Sequence, residues 1–248
     1  MAFDRVRLLL NPPKTEKLFH KDVQLMEATA KVLEVQQDYV VLDKTVFYAE
    51  SGGQEFDTGY INDIPVVDVQ DQGGRLLTAR GTRVQIPSIK VDTIVVHRLA
   101  GSPQFGVGDE VTLRVNETRR KNLMRSHSAA HFLYQAARIV VNTPEEQLYV
   151  KGCHITEASW RFDFASDLTG EVVQKIGELA NELIARGGQM EMVPSEVSDE
   201  VFYWIWEDVI IPCGGTHVRD VSELKRMRVS RDKKGTNVTR IKAVFVDD

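Results

Sequence analysis

The sequence predicts an α+β protein with two domains, a small β-barrel over residues 1–114 and a two-layer α+β domain over residues 115–248. Two observations favour this fold class. Short strand-like segments separated by turn residues recur through the first part of the chain, which is typical of small closed barrels. Two long segments with helical periodicity then alternate with strand-like segments, which is typical of a sheet covered on one face by helices.

The predicted barrel strands show the period-two alternation or the short apolar runs of β-structure. Turn signals separate them at Asn62-Asp63, at residues 71–74, which include the glycine pair Gly73-Gly74, and at residues 106–109. The predicted strands cover residues 29–36, 39–42, 60–61, 65–70, 76–78, 93–97 and 110–115.

The second domain is predicted to contain two long helices. The first surrounds His127 and His131 in a run of good helix formers, residues 125–138, that lacks glycine and proline. The second begins after Thr169, a residue type that commonly caps helices, and ends at Gly187-Gly188. Strands are predicted over residues 147–152, 158–164, 228–231 and 239–246.

The composition is that of an ordinary globular protein, with 42% hydrophobic and 27% charged residues among 248. No apolar run is long enough for a membrane span, and the apolar segment near the N-terminus is too short for a secretory signal. We therefore expect a cytoplasmic protein with no membrane partner. Because the sequence contains only Cys153 and Cys213, reduced thiols are expected rather than a disulfide framework.

Two pairs of metal-ligating residue types, each with i,i+4 spacing, predict one metal site. On a helix this spacing places His127 and His131 on one face, one turn apart. Cys213 and His217 flank two glycines, which allow a tight loop. Three imidazoles and a thiolate form a borderline-soft donor set that favours zinc over magnesium or calcium. Each pair alone is a weak signal, but the two together predict a shared site.

Two neighbouring features limit the chemistry of this site. Ser128 excludes the zinc-protease helix, which has a glutamate directly after the first histidine. Cys153-His154 is a rival ligand pair, but adjacent residues on a strand point to opposite faces, so the two together chelate poorly. Either of them alone could still replace one ligand of the main set.

A glycine-rich loop, Gly52-Gly53 followed by Gln54, comes after a predicted strand. Adjacent glycines let backbone amides approach a carbonyl oxygen or a phosphate closely, and Gln54 offers a side-chain amide beside them. A β-bulge or a barrel corner is the alternative interpretation, and spacing alone favours it.

Basic residues cluster at two places in a chain whose formal net charge is −5. Arg119, Arg120, Lys121 and Arg125 lie just before and within the histidine helix, and Lys233-Lys234 lie at the tip of a predicted C-terminal hairpin. Such clusters could follow a phosphate backbone, and the first cluster lies close in sequence to the proposed metal site. For the C-terminal cluster, a solvated hairpin is equally consistent with the charge pattern.

Four motifs occur in the order found in a known family: residues 47–59, with the glycine-rich loop, then the His127/His131 pair, residues 161–164 and residues 213–217. Together they resemble the editing region of alanyl-tRNA synthetase and its freestanding relatives, the alanyl-tRNA editing proteins of the AlaX group. The resemblance spans roughly residues 44–242. Because the chain is too short for a synthetase catalytic core and has the glycine-rich motif and a barrel, it resembles the freestanding medium-length type.

The resemblance implies a hydrolase that deacylates alanine tRNA wrongly charged with serine, or with glycine as a further substrate. Such an enzyme supports translation fidelity and is expected to work without ATP. The resemblance also implies that residues 115–248 form a tRNA-binding editing domain, with Zn²⁺ held by His127, His131, Cys213 and His217. Ser128 departs from the threonine that is familiar at this position but keeps a hydroxyl group.

The implied substrate is an activated ester, so the enzyme must fix the terminal adenosine and the aminoacyl group and direct a water at the carbonyl. We expect the amides of Gly52 and Gly53 to help hold the ester. Selecting serine over alanine requires a buried polar partner for one hydroxyl, and Thr45 and Gln54 are the candidates. Four protein ligands saturate a zinc ion, so either one ligand loosens or the metal only shapes the pocket.

Two other functions remain open at this point. One is a non-catalytic nucleic-acid-binding module with a structural zinc, and the other is a metal-dependent hydrolase of small esters or amides. Hydrolysis of seryl-tRNA, compared with alanyl-tRNA and free aminoacyl esters, distinguishes all three.

Overall fold

A computed structural model describes residues 12–77, 89–142, 148–196 and 198–246. The chain divides into two compact units. The first comprises the described chain up to Ser51, Glu55–Leu77 and Lys90–Arg120, and the second comprises Gly52–Gln54, Ile89 and the described chain from Lys121 onward. The glycine-rich loop therefore belongs to the second unit, although the sequence on both sides of it belongs to the first.

The first unit contains a closed barrel, so the predicted barrel is confirmed. Two short strands, β1 (Glu16–Lys17) and β4 (Lys44–Thr45), pair in parallel, and a 3₁₀ turn (Leu18–His20) follows β1. The barrel strands are β2 (Glu27–Gln36), β3 (Tyr39–Leu42), β5 (Gly59–Ile61), β6 (Ile64–Leu77), β7 (Ile89–Leu99) and β8 (Glu110–Val115). They close in the order β2-β3-β7-β6-β5-β8.

The barrel interior is filled by aliphatic side chains that alternate along the strands, among them Val32, Leu42, Val69, Val95 and Leu113. This burial removes apolar surface from water and is the main driving force for closing a small barrel.

One predicted turn is wrong, because residues 71–74 lie inside β6. Gly73 and Gly74 have φ angles of 65° and 75°, which only glycine adopts easily. A Cβ atom on Gly74 would lie 2.3 Å from the carbonyl oxygen of Val91 on β7. The glycine pair therefore marks a close approach within the barrel rather than a chain reversal. The strand predicted at 76–78 is the end of β6, and Thr78 lies outside the described residues.

A buried ion pair lies in the interior of the barrel unit. The side chains of Asp57 and Arg120 are both 0% exposed. Arg120 Nε donates to Asp57 Oδ2 at 2.9 Å, and its terminal nitrogens donate to the carbonyl oxygens of Val46 and Val23 at 2.6 and 3.1 Å. The backbone N–H of Tyr48 also donates to Asp57, at 2.7 Å. The two charges are thus compensated by each other and by backbone groups, as burial requires.

Among its described residues, the second unit holds two antiparallel sheets and two α-helices, so the predicted α+β class is confirmed. The helices are α1 (Glu117–Val141), whose first turn belongs to the other unit, and α2 (Gly170–Ala185). One sheet has the strands β9 (Val150–Ile155), β10 (Ser159–Phe164), β14 (Met227–Lys233) and β15 (Thr239–Phe245), in the order β14-β15-β10-β9. The other has β11 (Glu191–Ser195), β12 (Ser198–Trp206) and β13 (Val209–Cys213). Gln147, the start of a predicted strand, lies outside the described residues.

Both helices cover the same face of the four-stranded sheet. Tyr134 of α1 contacts Phe162 of β10, with ring centroids 5.8 Å apart. Gly177 of α2 lies against Val229 of β14, where a Cβ atom would meet the valine side chain at 3.1 Å. The strand register places Phe162 and Val229 on one face. The two-layer arrangement predicted for this part of the chain is therefore present.

The capping signals predicted for α2 are confirmed. Thr169 Oγ1 accepts a hydrogen bond from the backbone N–H of Val172 at 3.3 Å. Gly187 and Gly188, with φ angles of 71° and 106°, follow the last turn. Within the described ranges, no helix combines the length and apolarity that a membrane crossing requires.

The Arg-Phe-Asp-Phe motif of β10 has a packing explanation. Phe162 and Phe164 are buried under the helices, whereas Arg161 and Asp163 alternate onto the opposite face. Asp163 accepts hydrogen bonds from Arg240 Nε at 2.6 Å and from Arg161 Nη1 at 2.6 Å. The hydrogen bond from Arg240 is the largest of the effects that lower the pKa of Asp163.

The buried ion pair generates the first prediction. Asp57→Ala leaves the guanidinium of Arg120 buried without its counter-charge, so the free energy of unfolding should fall by about 3–5 kcal/mol in urea denaturation. Asp92→Ala is the matched control, because Asp92 pairs with Arg75 at the surface and its removal should change stability far less. Equal stability of the two variants would contradict this role for Asp57.

Candidate metal centre

Four metal-ligating side chains converge in the second unit. One donor atom each from His127, His131, Cys213 and His217 lies within 4.8 Å of all the others. Cys213 Sγ lies 3.6 Å from His127 Nε2 and 3.3 Å from His217 Nε2. Tetrahedral zinc with ordinary Zn–N and Zn–S bond lengths places sulfur and nitrogen about 3.6 Å apart. The spacing of the donors therefore fits one such ion.

Helix α1 supplies the first two donors because its i,i+4 spacing places them on one face. His127 and His131 are 5% and 7% exposed, and their ring centroids lie 5.0 Å apart. His131 also makes a T-shaped contact with Trp204 of β12, with ring centroids 4.8 Å apart. Helix geometry and core packing together hold both imidazoles toward the same point.

The loop after β13 supplies the other two donors. The backbone N–H of Gly215 donates to Cys213 Sγ at 3.3 Å, which closes the loop around the sulfur. A Cβ atom on Gly215 would lie 2.2 Å from Cε1 of His127, so no other residue fits there without moving the imidazole. By contrast, a Cβ on Gly214 would meet only ordinary contacts, the nearest at 3.9 Å.

Burial sets the protonation of the cluster. It lowers the pKa of His127 to about 3 and holds the pKa values of His131 and His217 well below the ordinary value, with neighbouring histidines adding to the effect. The imidazoles are therefore neutral at neutral pH and can offer lone pairs to a metal. Burial raises the pKa of the Cys213 thiol to about 12, while the hydrogen bond from Gly215 opposes this rise. Ligation of a metal requires the thiolate form of Cys213, and a divalent cation would compensate the negative charge of that thiolate.

The donor chemistry fits zinc. Imidazole nitrogen and thiolate sulfur are the donors that zinc commonly binds, whereas hard cations such as calcium prefer oxygen donors. Nδ1 of His131 is buried and has no hydrogen-bond partner among the described residues. Burying a polar atom without a hydrogen-bond partner costs about 1–3 kcal/mol, so the burial of this ring is consistent with a ligand role for His131.

Two of the histidines are oriented by hydrogen bonds from outside the cluster. Nδ1 of His127 lies 2.6 Å from Oε1 of Gln54. Nδ1 of His217 lies 3.1 Å from the hydroxyl of Ser128, which also accepts the backbone N–H of Val218 at 3.2 Å. The sequence identified Gln54 and Ser128 as residues near the site, but it did not predict these roles.

The glycine-rich loop packs closely against β9. Gly52 and Gly53 have φ angles of 58° and 87°. The carbonyl of Gly53 accepts the N–H of Ile155 at 2.7 Å, and a Cβ on Gly53 would lie 2.8 Å from the carbonyl oxygen of Cys153. The close-approach interpretation thus applies to Gly53, whereas Gly52 is exposed with open space at its α-carbon. The role of their amides in holding an ester stays a prediction.

The rival ligand pair is divided between the two faces of its sheet, as adjacency predicts. Cys153 pairs in register with the buried Phe162, and His154 pairs with the outward-facing Arg161. Neither belongs to the four-residue cluster. Burial raises the pKa of Cys153 to about 12, with Cys213 contributing to the rise.

Thr45 lies in the barrel unit, where its hydroxyl is already bonded. It is fully buried, and its Oγ1 lies 2.8 Å from Nε2 of His97 and accepts the N–H of Phe47 at 3.1 Å. Nδ1 of His97 lies 3.3 Å from the carbonyl of Val40, and burial lowers the pKa of His97 to about 4. A role of Thr45 in reading a serine hydroxyl stays a prediction from the sequence.

The basic residues near α1 differ in their environments. Arg120 is buried against Asp57, so the structure gives it a role inside the barrel unit and no surface for a phosphate. This corrects the expectation that it contacts a polyanion. Arg119 is partly exposed and pairs with Glu55 at 3.0 Å. Lys121 is exposed and Arg125 is partly buried.

The second basic cluster lies at the turn between β14 and β15. Lys233 and Lys234 are both exposed and pair with Asp167 and Asp232 at 3.6 and 2.9 Å. The predicted hairpin is therefore present, and exposed ion pairs of this kind contribute little to stability.

The chain is similar in sequence to several known proteins. The family described as tRNA synthetases class II (A) matches residues 14–119. The alanyl-tRNA editing protein AlaX-M of Pyrococcus horikoshii is 31% identical over 226 residues, which cover 88% of this chain and 94% of that protein. The alanine–tRNA ligases of Methanococcus maripaludis and Staphylothermus marinus are 30% and 31% identical over 91% and 89% of this chain. The chain spans about a quarter of the length of those ligases, 25% and 24%.

The adjacent glycines of the cysteine loop provide a matched pair of variants. Gly215→Ala should displace the imidazole of His127 and weaken zinc binding by roughly tenfold or more, whereas Gly214→Ala should bind zinc like the unmodified protein. Competition with a fluorescent chelator measures both affinities. Similar zinc affinity in the two variants would contradict the close fit of Gly215 against His127.

His97 predicts a specific pH dependence of stability. Its folded pKa, about 4, lies below its ordinary value of 6.5, so below pH 6.5 the unfolded chain takes up a proton that the folded chain does not. Its contribution to the free energy of unfolding therefore falls by about 1.4 kcal/mol per pH unit between pH 6.5 and 4. In urea denaturation with chelator present, His97→Gln should show a correspondingly shallower pH dependence. Parallel pH profiles for the two proteins would refute this account.

Proposed function

We propose, from the premise that this chain belongs to the family of alanyl-tRNA editing proteins, that it hydrolyses alanine tRNA mischarged with serine, and with glycine as a second substrate. The observation that carries the proposal is the convergence of His127, His131, Cys213 and His217 within 4.8 Å. This convergence joins two of the motifs on which the family resemblance rests. The reaction is cleavage of an activated ester, so it needs no ATP, and we place it in the cytoplasm, where aminoacyl-tRNA is used.

The cluster contains no carboxylate, so it offers no built-in strong base. An aminoacyl ester does not demand one, because binding and orientation supply much of the acceleration when a water is directed at an activated carbonyl. When bound, zinc would be held by the four clustered side chains and would supply Lewis acidity or the fixed shape of the pocket. The remaining tasks fall to the polar groups of the chain itself.

The exposed Gly52 is our candidate for contact between the backbone and the ester. A glycine with open space at its α-carbon allows a substrate to approach the amides of residues 52 and 53. Hydrogen-bond donors fixed in this way stabilise charge that develops on the carbonyl oxygen during attack by water.

Selection of serine requires a buried group that bonds its hydroxyl and that alanine would leave unpaired. Gln54 is fully buried, and its amide nitrogen donates to Thr216 Oγ1 at 2.9 Å, which leaves its second amide hydrogen available for a ligand. Gln54 is therefore our first candidate for this contact. Thr45 remains the candidate proposed from the sequence.

For the tRNA itself, we propose contacts to phosphates from Arg119, Lys121 and Arg125 along the start of α1, and from Lys233 and Lys234 at the β14–β15 turn. Each cation that displaces a counterion from the nucleic acid adds to affinity and to its salt dependence. The acidic net charge of the whole chain makes such local clusters necessary for binding a polyanion.

A second function has one specific observation in its favour. Four protein donors complete the coordination of a zinc ion, and complete coordination is typical of structural sites. A non-catalytic tRNA-binding module with a structural zinc would have the same cluster. Turnover of the ester separates this module from a deacylase.

The fourth prediction tests the deacylase directly. The zinc-loaded protein should release serine from seryl-tRNA(Ala) and leave alanyl-tRNA(Ala) and a free serine ester largely intact. Cys213→Ala removes a donor, so the rate should fall by more than the roughly 10- to 100-fold typical of changes outside the ligand shell. Cys153→Ala, which leaves the cluster complete, is the control and should retain activity.

Three outcomes would contradict the proposal in different ways. Binding of tRNA without ester cleavage would identify the non-catalytic module. Equal hydrolysis of free esters and tRNA esters would identify a general hydrolase. Full activity of Cys213→Ala in demonstrably zinc-free form would remove the metal from the mechanism.

A further inference from the structure

Gln54 connects the glycine-rich loop to both parts of the metal-binding cluster. Its side chain is 0% exposed. Its carbonyl oxygen Oε1 lies 2.6 Å from Nδ1 of His127 on α1 and accepts the backbone N–H of Thr216 at 3.2 Å. Its amide nitrogen donates to the hydroxyl of the same Thr216 at 2.9 Å. One buried amide thus bonds the helix that carries two donors and the loop that carries the other two.

The orientation of this amide follows from its partners. A backbone N–H can only donate, so the atom that faces Thr216 N must be the oxygen of Gln54 and not its nitrogen. The same oxygen faces His127. Because an amide oxygen can only accept, the proton of the neutral imidazole must lie on Nδ1. Nε2, which lies 3.6 Å from Cys213 Sγ, then keeps its lone pair for a metal.

The glycine at position 215 makes this contact possible. A Cβ atom there would lie 2.2 Å from Cε1 and 2.4 Å from Nδ1 of His127, and 3.0 Å from Oε1 of Gln54. The absence of a side chain at Gly215 therefore leaves space for the hydrogen bond between Gln54 and His127.

We propose that Gln54 is a positioning residue of the metal centre, which fixes the Nδ1–H tautomer and the ring orientation of His127. The proposal deepens the proposed function, on which it rests for the identity of the metal. In this role the glycine-rich loop supplies no metal ligand but orients one. Carbonyl and carboxylate groups orient metal-binding histidines in the same way in other proteins. A neutral amide performs this task without adding a second buried negative charge beside the thiolate of Cys213.

Ser128 makes the corresponding contact with His217, at 3.1 Å. A hydroxyl can either donate or accept, so Ser128 alone does not determine the tautomer of that ring. Gln54 is therefore the stronger constraint of the two, and the effect of its replacement should be larger.

Zinc affinity, measured by chelator competition, provides the first test. Gln54→Leu removes the acceptor at similar volume and should weaken zinc binding roughly 10- to 100-fold. Gln54→Glu keeps an acceptor for His127 and should restore most of that loss. Thr216→Val retains the contact with His127 and should lose clearly less than Gln54→Leu. Gln174→Leu, on the exposed side of α2, is the control and should bind zinc normally.

The second test observes the tautomer itself and needs neither zinc nor activity. Long-range ¹H–¹⁵N spectra of the zinc-free protein should show His127 with its proton on Nδ1, and Gln54→Leu should populate the other tautomer. A purely structural role of Gln54 would leave the tautomer unchanged. If Gln54→Leu does not fold, the tautomer of the unmodified protein and the zinc affinity of Gln54→Glu still decide the question.

The outcomes separate this inference from the proposed function. Zinc affinity of Gln54→Leu within about twofold of the unmodified protein, or a proton on Nε2 of His127, would overturn the positioning role and leave the deacylase proposal intact. A protein that binds zinc through Gln54-oriented His127 but does not cleave seryl-tRNA would support the positioning role and overturn the deacylase proposal.

Discussion

The second unit depends on one constraint, the burial of three neutral imidazoles and a thiol around a common point. Burial is the main cause that keeps His127, His131 and His217 unprotonated, because it lowers the pKa of each ring, and neighbouring histidines lower the pKa of His131 and His217 further. Excluding these polar groups from water costs free energy unless they have hydrogen-bond or metal partners. Packing against Trp204, hydrogen bonds from outside the cluster and the proposed metal all serve to offset this cost.

The surrounding structural elements position and orient the four side chains of the cluster. A regular helix fixes the spacing of one donor pair, and a glycine loop after β13 brings the other pair to it. Gln54 and Ser128 then orient two of the rings. Because Gln54 bonds to His127, the glycine-rich loop belongs to the same compact unit as the cluster, although the two are far apart in sequence.

The sequence predicted those features that local periodicity determines. The i,i+4 spacing of the histidines, the cap at Thr169 and the alternation of the barrel strands each follow from the geometry of one element. Features that depend on tertiary packing were not predictable. Arg120 looked like a surface cation because its sequence neighbours are basic, and only the fold reveals Asp57 buried against it. Gly73-Gly74 resembled a turn because glycine permits both a turn and a close strand approach.

The same limit applied to the site. The candidate ligands could be picked out by their spacing, but the partner of His127 is 73 residues away in sequence and has no motif of its own beyond two adjacent glycines. Ser128 gave a weak signal, since a hydroxyl residue directly after a candidate ligand lies on the adjacent helix surface and can reach a second loop. Such contacts between distant segments become visible only when the chain is folded.

Whether two distant segments share one zinc ion can be measured by X-ray absorption at the zinc edge. For the protein loaded with one equivalent of zinc, we expect three nitrogen neighbours at about 2.0–2.1 Å and one sulfur neighbour at about 2.3 Å. A coordination shell without sulfur, or one dominated by oxygen, would contradict it.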